Sequence, residues 1–326
     1  MHSPAKGQLF AIYYPVLATF GVPANIAAIA ILSRGRCGLS KCITWYLVFM
    51  AVTDLLVIIT AVILNRIGGI YLQKSFLSTT SACRVSTVLI YSSRDSSVWL
   101  TVAFTFDRFV AICSQKVKKM YCTEKTAAVV IGTICILSCL KNIPFYFAYE
   151  PLYTINNVAW YCSRKLSFYL SSIWTAFVWF DRLLTPCLPF LMMLLLNALT
   201  VAHILGANRA RKRLRAHSSG GNQSDPEMEK RRKSIVLLFT ISGTFILLWL
   251  IYVINFLYGR ITSTNYFNGF NFNNIKFVLQ ECGNMLQLLS CCTNACIYTV
   301  TQSKFRQELK NTVKYSLNLV TKVLHQ

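Results

Sequence analysis

Long apolar stretches separated by short polar segments run along the whole chain. Each stretch exceeds the ~20 residues that a helix needs to cross the hydrocarbon core of a bilayer. Seven such stretches can be distinguished, at about 8–33, 43–66, 83–113, 125–149, 170–205, 231–258 and 272–300. The pattern therefore predicts an all-α integral membrane protein, built as a bundle of seven transmembrane helices.

The composition supports a membrane protein and excludes a soluble globular domain. Of the 326 residues, 55% are hydrophobic and 13% are charged, which is too apolar a balance for an ordinary soluble domain. No internal sequence repeat is evident, so the pattern does not favour an inverted-repeat transporter.

The basic residues are concentrated on one side of the predicted membrane. The net charge is +22, and 21 of the 33 lysines and arginines fall between alternate pairs of stretches or after the seventh. By the positive-inside rule this side is cytoplasmic, which places the N-terminus outside the cell. The basic side suits the anionic lipids of the bilayer, and we expect no nucleic-acid partner.

The chain divides into a predicted bundle at 1–300 and a C-terminal segment at 301–326. The third cytoplasmic loop is expected at about 206–230, and Asn222, the only glycosylation sequon, should stay unmodified there. About ten residues precede the first helix, which should itself act as the insertion signal. The C-terminal segment is predicted to form an amphipathic helix along the inner leaflet and a short tail. Its apolar residues recur at helical spacing: Phe305, Leu309, Val313, Leu317 and Val320.

The thirteen cysteines do not form a dense disulfide framework. Most lie within the predicted helices or on the cytoplasmic side, where thiols stay reduced. Only Cys83 and Cys162 are clearly extracellular, and a bridge between them would tie the second outer loop over the bundle. Cys282, near the outer end of the seventh helix, is the rival partner.

Short motifs along nearly the whole chain resemble those of the rhodopsin-like (class A) G-protein-coupled receptors. Their order and spacing match the family, including the 25 residues from Cys83 to Arg108. The resemblance implies a multi-pass receptor of the plasma membrane that binds an extracellular ligand and activates a heterotrimeric G protein. The matching segments are Gly21–Asn25, Asp54, Asp107-Arg108-Phe109, Pro189, Phe245–Trp249, Asn294–Tyr298 and Phe305.

Some positions depart from the family pattern. Ile251 and Ala295 stand where helices 6 and 7 of the family carry prolines, and Asn197 replaces a tyrosine of helix 5. Because proline kinks a helix, these replacements affect the geometry of the two helices that move on activation. A receptor that has lost its activity is the alternative, although the coupling residues are intact.

Within the family, the chain most resembles the small orphan branch that responds to aromatic amino acids such as tryptophan and phenylalanine. The resemblance lies in the segments 20–26, 91–93, 97–99 and 283–289. Two polar anchors of that branch are replaced here, by Ile90 and Tyr252, so the ligand is expected to differ.

The resemblance assigns coupling and switch roles to seven residues. Arg108 is expected to rest against Asp107 and to contact the G protein after helix 6 moves outward. The family's bracing acid on helix 6 is absent, and the basic run 230–233 there should favour some ligand-independent activity. The seven residues are Asp107, Arg108, Phe109, Phe245, Trp249, Asn294 and Tyr298.

A polar cluster is expected in the middle of the bundle. By analogy with relatives, Asp54, Ser97 and Asn294 lie together beside Ser290 and Asn25, and such oxygens suit a sodium ion. A hydrogen-bonded network without an ion is the alternative. No other cofactor is expected.

Charged residues inside the membrane point to a ligand cavity, because such charges are costly unless they have a partner or a function. Arg94 and Asp95 of the third helix and Asp181 and Arg182 of the fifth fall at a similar depth. They either pair only with one another across the two helices or present a guanidinium to an anion. The predicted ligand is an aromatic or carboxylate-bearing small molecule or a short peptide. Further expected contacts are Tyr91, Trp249, Tyr252, Asn255 and Asn284.

Other functional classes fit the sequence less well than a receptor does. The four histidines are scattered and show no metal or triad spacing, so we expect no enzyme. An opsin would need a lysine where Leu288 stands. A transporter or channel that uses the intramembrane charges and a chemosensory receptor remain open.

Overall fold

The computed structural model describes residues 8–72, 75–215, 226–261 and 275–324. Eight long helices account for most of these residues, and we number them α1 to α8. They confirm the predicted all-α architecture, and the arrangement is consistent with a seven-helix bundle followed by a further helix.

The first four long helices are the following. α1 is Gln8–Ser33, and α2 is Lys41–Val57, which continues through a π-helical segment, Ile58–Ile67, to Gly68–Tyr71. α3 is Thr80–Cys113 and α4 is Glu124–Asn142, which ends in the 3-10 turn Ile143–Ala148. Short helices at Phe76–Ser78 and Gln115–Tyr121 lie in the connections.

The remaining helices complete the bundle. α5 consists of Ser172–Arg182, a π-helical turn at Leu183–Cys187, and Leu188–Arg215. α6 is Pro226–Ile261, α7 is Ile275–Thr301 and α8 is Ser303–Leu324. Both α6 and α7 run without interruption through Ile251 and Ala295, where prolines would remove a backbone donor.

Two small antiparallel pairs of strands lie between α4 and α5. β1 (Tyr149–Glu150) pairs with β4 (Ser163–Arg164), and β2 (Tyr153–Ile155) pairs with β3 (Val158–Trp160). A short helix, Leu166–Leu170, connects β4 to α5.

Helix starts follow local capping chemistry. The hydroxyls of Ser40, Thr79, Ser114 and Thr123 each accept a hydrogen bond from the amide three residues later. Such a cap satisfies one of the free donors in the first turn. Four helices therefore begin at the residue directly after a serine or threonine.

The surface is that of a membrane protein. Six helices within the described ranges are long and apolar enough to cross a bilayer, and large apolar side chains such as Phe20 and Leu247 are 70% exposed on them. Surface of this kind requires an apolar solvent. α7 has the length of a span but is more polar, and it packs along α6 and α1.

The core is divided along the bundle axis. We call the end that carries Arg108 the Arg108 end, and the end that carries Cys162 the disulfide end. Leu47, Phe104 and Tyr298 pack near the former, and Val98, Met193 and Trp249 pack in the middle. Tyr91 and Phe168 pack at the disulfide end.

Two sequence predictions need adjustment or lie outside the described ranges. The loop expected at 206–230 is shorter, because α5 continues to Arg215 and α6 begins at Pro226. Asn222 lies outside the described residues, as do the side chains of Leu317 and Val320. Phe305 is fully buried against the edge of the Tyr298 ring.

Candidate functional site

A disulfide closes one end of the bundle. Cys83 at the start of α3 is bonded to Cys162, with their Cα atoms 6.3 Å apart. Cys282, the rival partner, is free and exposed. The predicted pairing is therefore confirmed, and it holds the β1–β4 segment against α3.

Hydrogen bonds to α3 and its preceding turn reinforce that segment. The Thr80 hydroxyl donates to the carbonyl of Tyr161 at 2.6 Å, and the Tyr161 amide donates to the carbonyl of Ser78 at 2.6 Å. Arg84 Nε donates to the carbonyl of Tyr149 at 3.1 Å. The segment is thus fixed close to the charged residues below it.

A buried ionic cluster joins α3, α4 and α5 beneath the disulfide. Lys141 Nζ lies 2.6 Å from Asp95 Oδ2 and 2.6 Å from Asp181 Oδ1. The Asn142 amide adds a hydrogen bond to the same Asp95 oxygen at 2.7 Å. The two carboxylates are 1% and 3% exposed, so Lys141 serves both in a site nearly closed to water.

This cluster corrects the pairing expected from sequence. We considered direct pairing of the acids and arginines of α3 and α5, but the cation shared by Asp95 and Asp181 is Lys141. Arg94 Nη2 lies 3.6 Å from Asp95 Oδ1, which is longer than a hydrogen bond. Lys141 was not predicted from the sequence, because it falls inside an apolar stretch with no motif around it.

Arg94 and Arg182 form a charged layer together with Asp95, Lys141 and Asp181. Both arginines rest mainly on aromatic side chains. The Arg94 guanidinium carbon lies 4.8 Å from the centre of the Tyr91 ring, and its Nε and Nη2 are buried without a hydrogen bond. Arg182 donates to the Tyr252 hydroxyl and lies 5.9 Å from the centre of the Phe256 ring. Cation–π contact stabilises a guanidinium only in part.

Aromatic side chains form the layer below these charges. Trp249 stacks on Phe245 with ring centres 5.0 Å apart and meets Tyr252 edge-on at 5.7 Å. Trp249 Nε1 donates to the Ser290 hydroxyl at 3.2 Å. Trp249 thereby connects the charged layer to the polar middle of the bundle.

The other expected ligand contacts are engaged within the protein. Asn255 donates to the carbonyl of Leu279 at 2.7 Å, and Asn284 donates to Glu281 Oε1 at 3.1 Å. Glu281 also lies 3.8 Å from Arg66, a pair that the sequence analysis did not anticipate. These contacts join α7 to α6 and α2. A ligand role for Asn255 and Asn284 stays a prediction.

A polar cluster surrounds Asp54 in the middle of the bundle. Its carboxylate accepts hydrogen bonds from Ser97 at 2.5 Å and Asn294 at 2.7 Å. Asn25, expected beside it, instead donates to the carbonyls of Gly21 and Cys291, both at 2.9 Å.

A small cavity adjoins Asp54, with room for about one water molecule or a small ion. Its lining offers one carboxylate and several hydroxyl oxygens, a donor set that fits a hard cation such as sodium. Thr101 and Thr293 belong to this lining and were not anticipated. The lining residues are Asp54, Ser97, Thr101, Ile241, Phe245, Ser290, Thr293 and Asn294.

Another ionic contact lies at the Arg108 end. Arg108 Nε donates to Asp107 Oδ2 at 3.0 Å, and Nη1 donates to the Ser234 hydroxyl of α6 at 3.4 Å. Asp107 is fully buried and also accepts a hydrogen bond from the Cys42 thiol at 3.2 Å. Phe109 is half-buried with its ring centre 6.4 Å from that of Phe106.

Ser234 is the contact that sequence reasoning missed at this end. The basic run 230–233 stands where the family has a bracing acid, and the next residue, Ser234, gives Arg108 a neutral acceptor on α6. The side chains of Lys230 and Arg231 lie outside those described.

Comparison with known proteins agrees with this geometry. The family model "7 transmembrane receptor (rhodopsin family)" matches residues 24–298. The chain is 30% identical over 148 residues to the mouse probable G-protein coupled receptor 142, across 43% of this chain and 37% of that protein. It is 22% identical over 315 residues to the human G-protein coupled receptor 182, across 97% of this chain and 72% of that receptor.

A third relative extends the comparison to invertebrates. The FMRFamide receptor of Drosophila melanogaster is 23% identical over 304 residues, which cover 90% of this chain and 51% of that receptor. The family model itself covers most of the chain, including the residues of the Arg108 end and of the Asp54 cluster. The chain therefore belongs to the rhodopsin family of seven-transmembrane receptors.

Proposed function

We propose that this protein is a cell-surface receptor that binds a small extracellular ligand between its helices and activates a heterotrimeric G protein. The observation that carries the proposal is the Arg108 contact, because one side chain links Asp107 of α3 to Ser234 of α6. A shift of α6 breaks the 3.4 Å contact with Ser234 and leaves the guanidinium available to a partner.

The path from ligand to Arg108 runs through the middle of the bundle. Trp249 contacts Tyr252 on the charged side and Ser290 on the polar side. Ser290 lines the cavity that adjoins Asp54. We propose that Asp54, Ser97 and Asn294 hold a sodium ion there in the resting state, and that ligand pressure on Trp249 disturbs this cluster.

The ligand that the charged layer around Arg94 and Arg182 suits carries an aromatic group or a carboxylate. Arg94 and Arg182 place guanidinium groups near Tyr91 and Tyr252, and a guanidinium binds carboxylates through paired donors. A short peptide is a further candidate, because one relative is named an FMRFamide receptor.

The proposed orientation places the disulfide end outside the plasma membrane, with the N-terminus, and the Arg108 end in the cytoplasm. The concentration of lysines and arginines around the Arg108 end supports it. α8 would lie along the inner leaflet, with the lipid bilayer as its partner.

The test is nucleotide exchange on a panel of purified G proteins, with wild-type receptor and Arg108→Ala in lipid vesicles. We expect exchange above the receptor-free level in the wild type and none in Arg108→Ala. Arg36→Ala removes an exposed arginine near the same end and should behave as the wild type. Ion flux through the same vesicles without nucleotide exchange would instead establish the channel or transporter alternative.

A further inference from the structure

The charged layer at the disulfide end contains more cations than acids. Arg94, Lys141 and Arg182 face Asp95 and Asp181, so the described residues of this layer carry one excess positive charge. Arg164 of β4, 4.9 Å from the centre of the Phe168 ring, adds positive charge on the disulfide side of the layer.

Lys141 occupies the position between the two acids. Its ammonium lies at hydrogen-bond distance from a carboxylate oxygen of each. The second oxygen of Asp95 makes no hydrogen bond, but Arg94 Nη2 lies 3.6 Å from it. The position between the two acids, where a ligand's amine would meet both carboxylates, is therefore already occupied by a cation of the protein.

We propose that Lys141 is a built-in ammonium that fills an amine-binding subsite, so that the receptor selects ligands with an anionic group and no free ammonium. The proposal rests on the proposed function and deepens it, because it assigns the charge class of the ligand. Lys141 is then the residue that sets specificity, although it does not bind the ligand's anionic group.

The physical reason is that Lys141 is attached to the chain. A free ammonium must give up its translational freedom to occupy the site between Asp95 and Asp181. The Lys141 ammonium loses no such freedom and therefore outcompetes it. A zwitterionic amino acid would bring its carboxylate to Arg94 or Arg182, but its ammonium could not take the position between the two acids, because Lys141 fills it. An unpaired charge in such a buried site is strongly unfavourable.

Removal of Lys141 should therefore reverse the selection. In Lys141→Ala the layer becomes neutral, and Asp95 and Asp181 have a vacant position between them. An ammonium carried by a ligand can then take the place of Nζ. A small molecule of the same chemistry would thus substitute for the missing side chain.

The experiment measures the melting temperature of the purified full-length receptor with three matched probes. 3-Phenylpropanoate carries only the anion, 2-phenylethylamine carries only the ammonium, and phenylalanine carries both. In the wild type we expect 3-phenylpropanoate to stabilise with an apparent Kd at least about tenfold below that of phenylalanine, and 2-phenylethylamine to have no effect. In Lys141→Ala we expect 2-phenylethylamine to stabilise and the preference for 3-phenylpropanoate over phenylalanine to be lost.

Controls keep the result interpretable. Lys118→Ala removes an exposed lysine outside the layer and should match the wild type with every probe. If Lys141→Ala does not accumulate, Lys141→Ser removes the charge, keeps a donor and still leaves the position between the acids vacant, and the same ammonium response is expected. A Lys141 variant that no ammonium stabilises overturns the proposal, as does a wild type that binds phenylalanine as well as 3-phenylpropanoate or that no carboxylate stabilises.

The readout also separates this proposal from the proposed function. Melting temperatures report binding without a G protein, so a wild type that selects the anion but drives no nucleotide exchange refutes only the coupling. Nucleotide exchange together with ammonium binding in the wild type refutes only the role of Lys141.

Discussion

The Arg108 end and the disulfide end of the bundle satisfy their buried charges in different ways. At the Arg108 end one acid and one cation are neighbours in sequence, and Ser234 adds a neutral acceptor from α6. At the disulfide end, charges from α3, α4 and α5 assemble around Lys141. The first arrangement is local and can be released by a helix movement, whereas the second joins three helices and leaves cations in excess.

This difference suggests a division of roles. A contact of 3.4 Å between a cation and a hydroxyl is easily broken, which suits a switch. A lysine held by two nearly inaccessible carboxylates is hard to remove, which suits a fixed binding surface.

Loss of Lys141 should have the largest effect on stability. Lys141→Met leaves two buried acids without their shared cation, and breaking a buried pair costs about 3–5 kcal/mol. The double variant Lys141→Met with Asp181→Asn leaves Asp95 beside Arg94 and should recover much of this loss. Thermal unfolding of the purified receptor measures both. A double variant no more stable than the single one would show that the acids do not depend on Lys141.

Loss of the disulfide should be next. Cys83→Ser or Cys162→Ser frees the β1–β4 segment, and the loss of a native disulfide costs about 2–5 kcal/mol. Surface expression, measured by antibody binding to intact cells, should fall sharply in either variant. Cys282→Ser changes an exposed free thiol and should express normally. Normal expression of both bridge variants would contradict a structural role for the bond.

Arg182→Gln should weaken anion binding with little change in expression. A hydrogen bond to a charged group contributes about 1.5–3 kcal/mol, so the apparent Kd for 3-phenylpropanoate should rise about tenfold to a hundredfold. Arg209→Gln, an exposed change on the same helix near the Arg108 end, should leave the Kd unchanged. An unaltered Kd in Arg182→Gln would leave Arg182 with a structural role only.

The sequence was sufficient for features that depend on length, hydropathy and spacing. The helices follow the apolar stretches, and α7 was recognised although it is more polar than the others. The contacts of Asp54 with Ser97 and Asn294 and of Arg108 with Asp107 followed from motif positions. In each case the family resemblance fixes both residues of the contact.

Features that depend on helix rotation were not predictable. Lys141 lies 46 positions from Asp95 and 40 from Asp181, and an apolar helix gives no sign of which face such a lysine presents. Asn25 was placed at Asp54 by analogy, but it bonds α1 to the backbone of α7. Helical periodicity alone cannot decide such contacts, because the direction of each side chain depends on how neighbouring helices pack.

We propose that Arg108 acts on the G protein and that Ser234 restrains it. The direct test is basal nucleotide exchange by vesicles containing the wild type, Ser234→Ala, Arg108→Ala and the double variant. Loss of one hydrogen bond is worth about 1 kcal/mol, so Ser234→Ala should raise basal exchange about fivefold. The double variant should be as inactive as Arg108→Ala, and a double variant that kept the raised exchange would contradict the account.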